Sequence, residues 1–296
     1  MELFYKISEY DNYINVKQIL KEYFNISDRL LLKLKNKQCI FLNNDRTYVN
    51  HIVKPNDVIS FKLDYEEDNS NIVPTKMNLD ILYEDDSYLV INKPCGIAVH
   101  PSMLHYSNSL SNGVRYYFDQ IGLKKKIRPV NRLDFDTSGI VIFAKNEYIQ
   151  ECLVKQMKND NFIKQYIAIC EGNIGEIGFS NIINAPIARK ESSIIERCVD
   201  STGDIAITHF TVLDNFNNNT CKVLCTLKTG RTHQIRVHMS YIGHPIVGDT
   251  LYGSASEFIN RQALHSYKVC FIHPIYKKQV EYIAQIPQDI NNIIKK

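Results

Sequence analysis

The sequence predicts an α+β chain in two parts, a small helix–helix–strand module followed by a larger domain of mixed strands and helices. Three observations predict it. Apolar residues recur at helical spacing in two short N-terminal stretches. They alternate in the stretch that follows, as in a half-buried strand. After residue 79 they gather into short strand-like runs broken by one clear amphipathic helix. A chain of 296 residues, 44% hydrophobic and 23% charged, has the make-up of a globular protein and length for one medium domain plus a small module.

Residues 1–65 are the predicted small module. In NVKQILKEYF, Val16, Ile19, Leu20 and Phe24 mark one helix face. Ser27 is placed to cap a second helix, DRLLLKLKNK, whose apolar face is Leu30, Leu31 and Leu34. Arg29, Lys33 and Lys37 lie four apart on another face. Such a row can bind phosphates by displacing counterions, and it can equally be a solvated helix surface. CIFLNN and DVISFKL read as strands, with Ile59, Phe61 and Leu63 alternating. The order helix, turn, basic helix, strand and V-K-P-N-D-V-I-S-F resembles the S4-type RNA-binding module, which implies that the basic helix faces RNA. Residues 66–78 are polar and acidic, contain Pro74 and show no periodicity, so they are predicted as a linker. Residues 79–296 form the larger domain. YLVINKP is a strand stopped by Pro94, and GIVIFAK, KQYIAIC and CKVLCTLK are further strands. EYIQECLVKQM is a helix with Ile149, Leu153 and Met157 on one face.

Composition removes several classes of function. The 8 cysteines are scattered and none forms C-x-x-C, which predicts reduced thiols, no zinc site and a reducing compartment. The N-terminus lacks a basic-then-apolar leader, and no apolar run approaches the length of a membrane span, so a cytoplasmic protein is expected. A net charge of +3 permits a nucleic-acid partner without demanding one.

Three stretches could carry chemistry. RPVNRLDFDTSGIVIFAK, residues 128–145, sets Asp134 and Asp136 in a turn just ahead of a buried strand. A carboxylate there is well positioned, and a nearby arginine would keep it ionised for attack or proton removal. A carboxylate that merely caps the turn fits the same residues. KQYIAICEG places Lys164, Tyr166 and Ala168 on one strand face, a platform for a flat base or an ordinary packed tyrosine. LKTGRTHQIRVHMSYIGHPIVGDTLYG, residues 227–253, predicts a helix capped by Thr232 and ended by Gly243, with Arg231 before it and Arg236 within it. His233 and His238, five apart, point about 140° from each other on a regular helix and cannot share a metal ion.

Taken together, these stretches resemble the family of RNA pseudouridine synthases typified by the ribosomal large-subunit synthases of types A, C and D. The signature H-R-L-D-x-x-T-S-G reads N-R-L-D-F-D-T-S-G here. K-x-Y-x-A is Lys164, Tyr166 and Ala168, and G-R-T-H-Q-I-R-V-H is intact from Gly230 to His238. H-P-I-V-G-D-x-x-Y-G, INKPCGIAVHP, APIAR and LHSYKVCFIHP also match. The resemblance covers nearly all of 79–287. It implies a mixed, mainly antiparallel curved sheet with flanking helices and a central cleft. It implies an isomerase acting on RNA by base flipping with no cofactor and no metal. Asp134 is then the catalytic carboxylate, paired to Arg236 or, as second choice, Arg231. Asp136 shapes the turn. Tyr166 stacks on the target uracil and assists at C5, Arg132 fills the space left by the flipped nucleotide or holds its phosphate, and Lys164 joins in substrate binding. Whether Asp134 attacks the sugar, attacks the base or removes a ribose proton stays open. Two departures are Asn131 in place of the usual His and Asp204 where lysine is common. The expected substrate is large-subunit rRNA, with tRNA as the alternative and the expected state a monomer. Rival readings are a non-catalytic RNA-binding or ribosome-assembly protein and a glycoside hydrolase, which would need a second carboxylate across the cleft.

Overall fold

The computed structural model describes residues 1–159 and 161–294; the last two residues of the predicted larger domain lie outside the described residues. The N-terminal module contains β1 (Glu2–Lys6), α1 (Val16–Glu22), α2 (Asp28–Asn36), β2 (Ile40–Leu42), β3 (Asp45–Arg46) and β4 (Val58–Lys62). Its strands form an antiparallel sheet in the order β1-β4-β2-β3. The Ser27 hydroxyl accepts the Leu30 N–H at 3.1 Å, so it caps α2 as its position predicts. Leu30, Leu31 and Leu34 are buried with Ile59 and Phe61 in one core.

The larger part contains β5 (Ile81–Glu84), β6 (Tyr88–Lys93), α3 (Leu110–Gln120), β7 (Arg128–Pro129), β8 (Ser138–Ala144), α4 (Glu147–Lys158) and β9 (Phe162–Glu171). These are followed by β10 (Ser180–Asn184), β11 (Ile187–Arg189), β12 (Arg197–Val199), β13 (Ile207–Phe216) and β14 (Thr220–Leu227). The chain then forms α5 (Gln234–Tyr241), β15 (Leu264–Ile272), β16 (Gln279–Ile283) and α6 (Gln288–Ile294). One 10-stranded sheet runs β10-β13-β14-β9-β15-β8-β6-β5, with β16 beside β15 and β7 beside β8. Its named pairings are antiparallel except β8 against β15. The expected mixed, mainly antiparallel α+β architecture is therefore present. Gly139 makes the parallel junction possible: its φ is +110°, and a Cβ there would meet the Ser266 carbonyl oxygen at 2.2 Å. Among the described residues no helix is long and apolar enough to cross a membrane.

Two features bear on the boundary between the two parts. Residues 66–78, expected as a linker, form neither helix nor strand. Ile72 is buried with Leu89, Ile91 and Phe118, and the Glu67 side chain is 3% exposed. Lys33, expected to face RNA, turns inward. Its ammonium pairs with Glu67 and Glu147, both at 2.6 Å, and lies 4.7 Å from the centre of the Tyr65 ring. Arg128 completes the cluster with two 2.7 Å bonds to Glu67. Across the same boundary Phe61 packs edge-on against Tyr148 at 5.6 Å, so the module and the larger part share a core. Arg29 on α2 and Lys37 at its C-cap are exposed.

Burial alone would raise the Glu67 pKa; Arg128 and Lys33 outweigh it and hold the carboxyl at about 2 against an ordinary 4.5. A depressed carboxylate contributes stability that is complete above the unfolded value and lost as pH falls through the folded one. Glu67→Gln is therefore expected to cost about 3 kcal/mol at pH 7, because two cations lose a buried partner. The gap from wild type should narrow as pH falls from 4.5 towards 2, as read by urea unfolding.

Candidate active site

The loop between β7 and β8 is fastened from several sides before Asp134 has any partner. Asn131 donates its amide to the Ile140 carbonyl and accepts the Ile142 N–H, both at 2.9 Å. Asparagine thus does here what a turn-holding residue must, and the departure from histidine leaves the loop intact. Thr137 N–H closes the turn on the Asp134 carbonyl at 3.2 Å. Lys93, fully buried at the end of β6, donates to the carbonyls of Pro94, Ile97 and Phe135 at 2.8, 2.9 and 3.0 Å. Burial pushes its ammonium down to about 8. Arg261 donates to the Asp136 carbonyl at 3.0 Å while its other nitrogens grip Asp289 at 2.7 and 2.9 Å. Asp136 thus enters the turn through its backbone.

The Asp134 side chain meets Arg236, whose Nη1 donates to Oδ2 at 3.2 Å. That guanidinium is itself aimed. Nε and Nη2 fork onto Asp249 at 2.7 and 2.8 Å, and Asp249 is fully buried. Asp249 in turn accepts the N–H groups of Leu251 and Tyr252 at 3.1 and 3.2 Å. A fork with two arms held presents its third nitrogen in a fixed direction. The Tyr252 ring lies 5.1 Å from the Arg236 guanidinium carbon, and its hydroxyl bonds His233 Nδ1 at 2.8 Å. His233 Nε2 is 3.9 Å from Asp134. Burial lowers the His233 pKa against the pull of Asp134.

Helix α5 starts later than expected. His233, not Thr232, occupies the cap position, with φ of +57° and no side-chain cap bond. Gln234 secures the preceding turn by accepting from Arg231 N–H at 3.0 Å and Thr229 hydroxyl at 2.7 Å. Gly243 follows the helix with φ of +84°, the C-terminal ending its sequence position predicts. His238 is buried between Thr208 and the Ala185 carbonyl, 2.9 Å from each, a packing role.

A cleft of about 610 Å³ brings Asp134, Arg236, Tyr166, Lys164, Arg132 and Arg231 together. Arg132 is exposed beside it. Burial raises the Tyr166 phenol, with the Asp134 charge adding, to about 12, so it is neutral at pH 7. Burial lowers the Lys164 ammonium pKa. Arg231 is not the partner of Asp134: its Nε donates to the Ile205 carbonyl at 3.0 Å and Nη1 reaches Asp204 at 3.3 Å. The acidic departure at 204 thus takes up part of Arg231's charge. None of Arg29, Lys33 and Lys37 lines this cleft. Sequence reasoning passes over Lys93 and Asp249. Both sit inside matched motifs, INKP and HPIVGD, and a charged residue embedded in an apolar run is the signal that could find them.

The sheet thus carries a guanidinium-held carboxylate in a cleft that also holds Arg132, Arg231 and Lys164. The sequence model of the family described as RNA pseudouridylate synthase matches residues 87–241, and the chain belongs to that family. The Bacillus subtilis protein named Uncharacterized RNA pseudouridine synthase YjbO is 39% identical over 280 residues, 93% of this chain and 98% of that protein. Ribosomal large subunit pseudouridine synthase D of Blochmanniella floridana is 35% identical, covering 88% and 86%. The solved structure of Human RNA Pseudouridylate Synthase Domain Containing 1 aligns with a TM-score of 0.58 at 29% identity, covering 70% of this chain and 83% of that one. The chain is an RNA pseudouridine synthase, an isomerase.

Proposed function

We propose that the chain converts uridine to pseudouridine in large-subunit rRNA, with Asp134 starting the reaction on an everted nucleoside. The observation that carries this is the 3.2 Å contact between Arg236 and Asp134 in the cleft that also holds Tyr166. The names of several relatives, ribosomal large subunit pseudouridine synthases, support the choice of rRNA. The guanidinium stabilises negative charge on Asp134, and Asp249 keeps it from collapsing fully onto that carboxylate. In the reaction the C1′–N1 bond breaks, the uracil turns, and a C1′–C5 bond forms. The proton on C5 leaves and N1 gains one, so atoms balance without any donor. Eversion costs a few kcal/mol, which stacking on Tyr166 and phosphate contacts from Arg132, Arg231 and Lys164 offset. The 1–65 module, an S4-like unit, adds phosphate contacts through Arg29 and Lys37; Lys33 is withdrawn from that role. One chain supplies every group named, so a monomer suffices, and the expected compartment is the cytoplasm.

The test is release of tritium from a large-subunit rRNA transcript labelled at C5 of uridine. Release from this transcript and none from a tRNA transcript is the expected result; release from tRNA alone would overturn the choice of target. The Tyr166 ring stacks on the uracil and its hydroxyl assists proton removal from C5. Tyr166→Phe is accordingly expected to lower turnover by about 10²-fold, the lower end of what a lost proton-transfer group costs. RNA affinity should stay within about twofold, since the ring that stacks is retained.

A further inference from the structure

The residue after Asp134 is one that the family signature leaves open. Phe135 occupies it, and the ring is 39% exposed. Its backbone does not move freely, because Lys93 holds the Phe135 carbonyl at 3.0 Å. The His105 ring stacks on it at 4.7 Å between centroids and 26° between planes. His105 belongs to the loop between β6 and α3, and that loop leaves three more large side chains in water. Met103 and Leu104 are fully or almost fully exposed, at 101% and 88%, and Tyr106 is 62% exposed. Contiguous apolar surface of this kind marks a contact site more often than an accident of packing.

Both chain segments of the patch also supply residues to the cleft. Val99 and His100, earlier in the same loop, line the cleft, and so do Arg132, Leu133 and Asp134, just before Phe135. An RNA strand that brings a uridine to Asp134 therefore has its neighbouring nucleotides close to this patch. Everting a uridine strips its chain neighbours of a stacking partner. A rigid aromatic pair, flanked by the exposed Arg132 for a phosphate, offers such a neighbour a replacement surface at little ordering cost.

We infer that the Phe135–His105 stack, edged by Met103, Leu104 and Tyr106, is the platform for an unstacked nucleobase adjoining the target uridine. The platform selects the RNA context, while Asp134 acts on the target itself. This rests on the rRNA-modifying function proposed above.

The experiment measures steady-state tritium release from the C5-labelled large-subunit rRNA transcript by wild type, Phe135→Ala, His105→Ala, Leu104→Ser and Phe135→Trp. Loss of one stacking surface predicts a KM rise of about 10-fold for Phe135→Ala, with kcat within about twofold. His105→Ala should shift KM the same way, Leu104→Ser by about threefold, and Phe135→Trp should restore wild-type KM because a larger π-face remains. Unchanged KM in all three truncations would overturn the inference and point to a protein partner for the patch. A fall in kcat at constant KM would also overturn it, since the ring would then serve to place Asp134. Failure of Phe135→Trp to restore KM, with thermal midpoint equal to wild type, would exclude stacking. Absence of release by the wild type itself would instead defeat the proposed function.

Discussion

Asp134→Asn is expected to reduce tritium release by at least about 10⁴-fold, the scale on which loss of a catalytic group acts when nothing substitutes for it. The substitution keeps the shape of the side chain and removes only its charge and basicity. Arg236 retains both bonds to Asp249, so α5 and the loop that carries residue 134 have no reason to move. The turn itself is held by backbone contacts from Lys93 and Arg261. RNA affinity should be equal to or slightly above wild type, because a negative charge leaves a cleft that binds a polyanion. Loss of affinity in step with turnover would mean that Asp134 organises binding, not chemistry.

Arg236→Met should be damaging in two ways. Asp249 is fully buried, and besides Arg236 it accepts bonds from two backbone N–H groups that carry no full charge. Removing one member of a buried pair costs about 3–5 kcal/mol, chiefly the penalty of stranding the other. Urea unfolding at pH 7 would show this as a lower midpoint with similar slope. Turnover should also fall below detection, because Asp134 loses the charge that fixes it. Arg236→Lys separates the two effects. A single ammonium can neutralise Asp249 but cannot fork between Asp249 and Asp134. It should recover most of the stability and little of the turnover. Equal recovery of both would show that Arg236 is only a structural counter-ion.

Strands β6, β8, β9 and β14 are legible in the sequence because alternation and apolar runs report which side of a sheet each residue faces. Helix α4 is legible from Ile149, Leu153 and Met157, and the Ser27 cap from its position ahead of an apolar periodic run. Helix α3 is not. LSNGVRYYFDQ begins like a loop and carries glycine within its first turns, and its helix is fixed by packing. A Cβ at Gly113 would lie 3.0 Å from Met77 Sδ, so the small residue admits a distant segment that no local pattern announces. Lys33 shows the same limit for charge. Helical spacing tells which face it shares with Arg29 and Lys37, but not that Glu67 and Glu147 come to meet it. At the site, the motifs locate Asp134, Tyr166 and Arg236 in one cleft. They cannot settle Arg236 over Arg231, since that choice depends on Asp204 and Asp249 reaching across loops.

The most direct measurement takes an unmodified large-subunit rRNA transcript, incubates it with wild type or Asp134→Asn at equal RNA occupancy, and maps pseudouridine by carbodiimide adducts that stop reverse transcription. If Asp134 starts the reaction, wild type gives discrete stops and the variant gives none. Matching stops in both lanes would contradict that role.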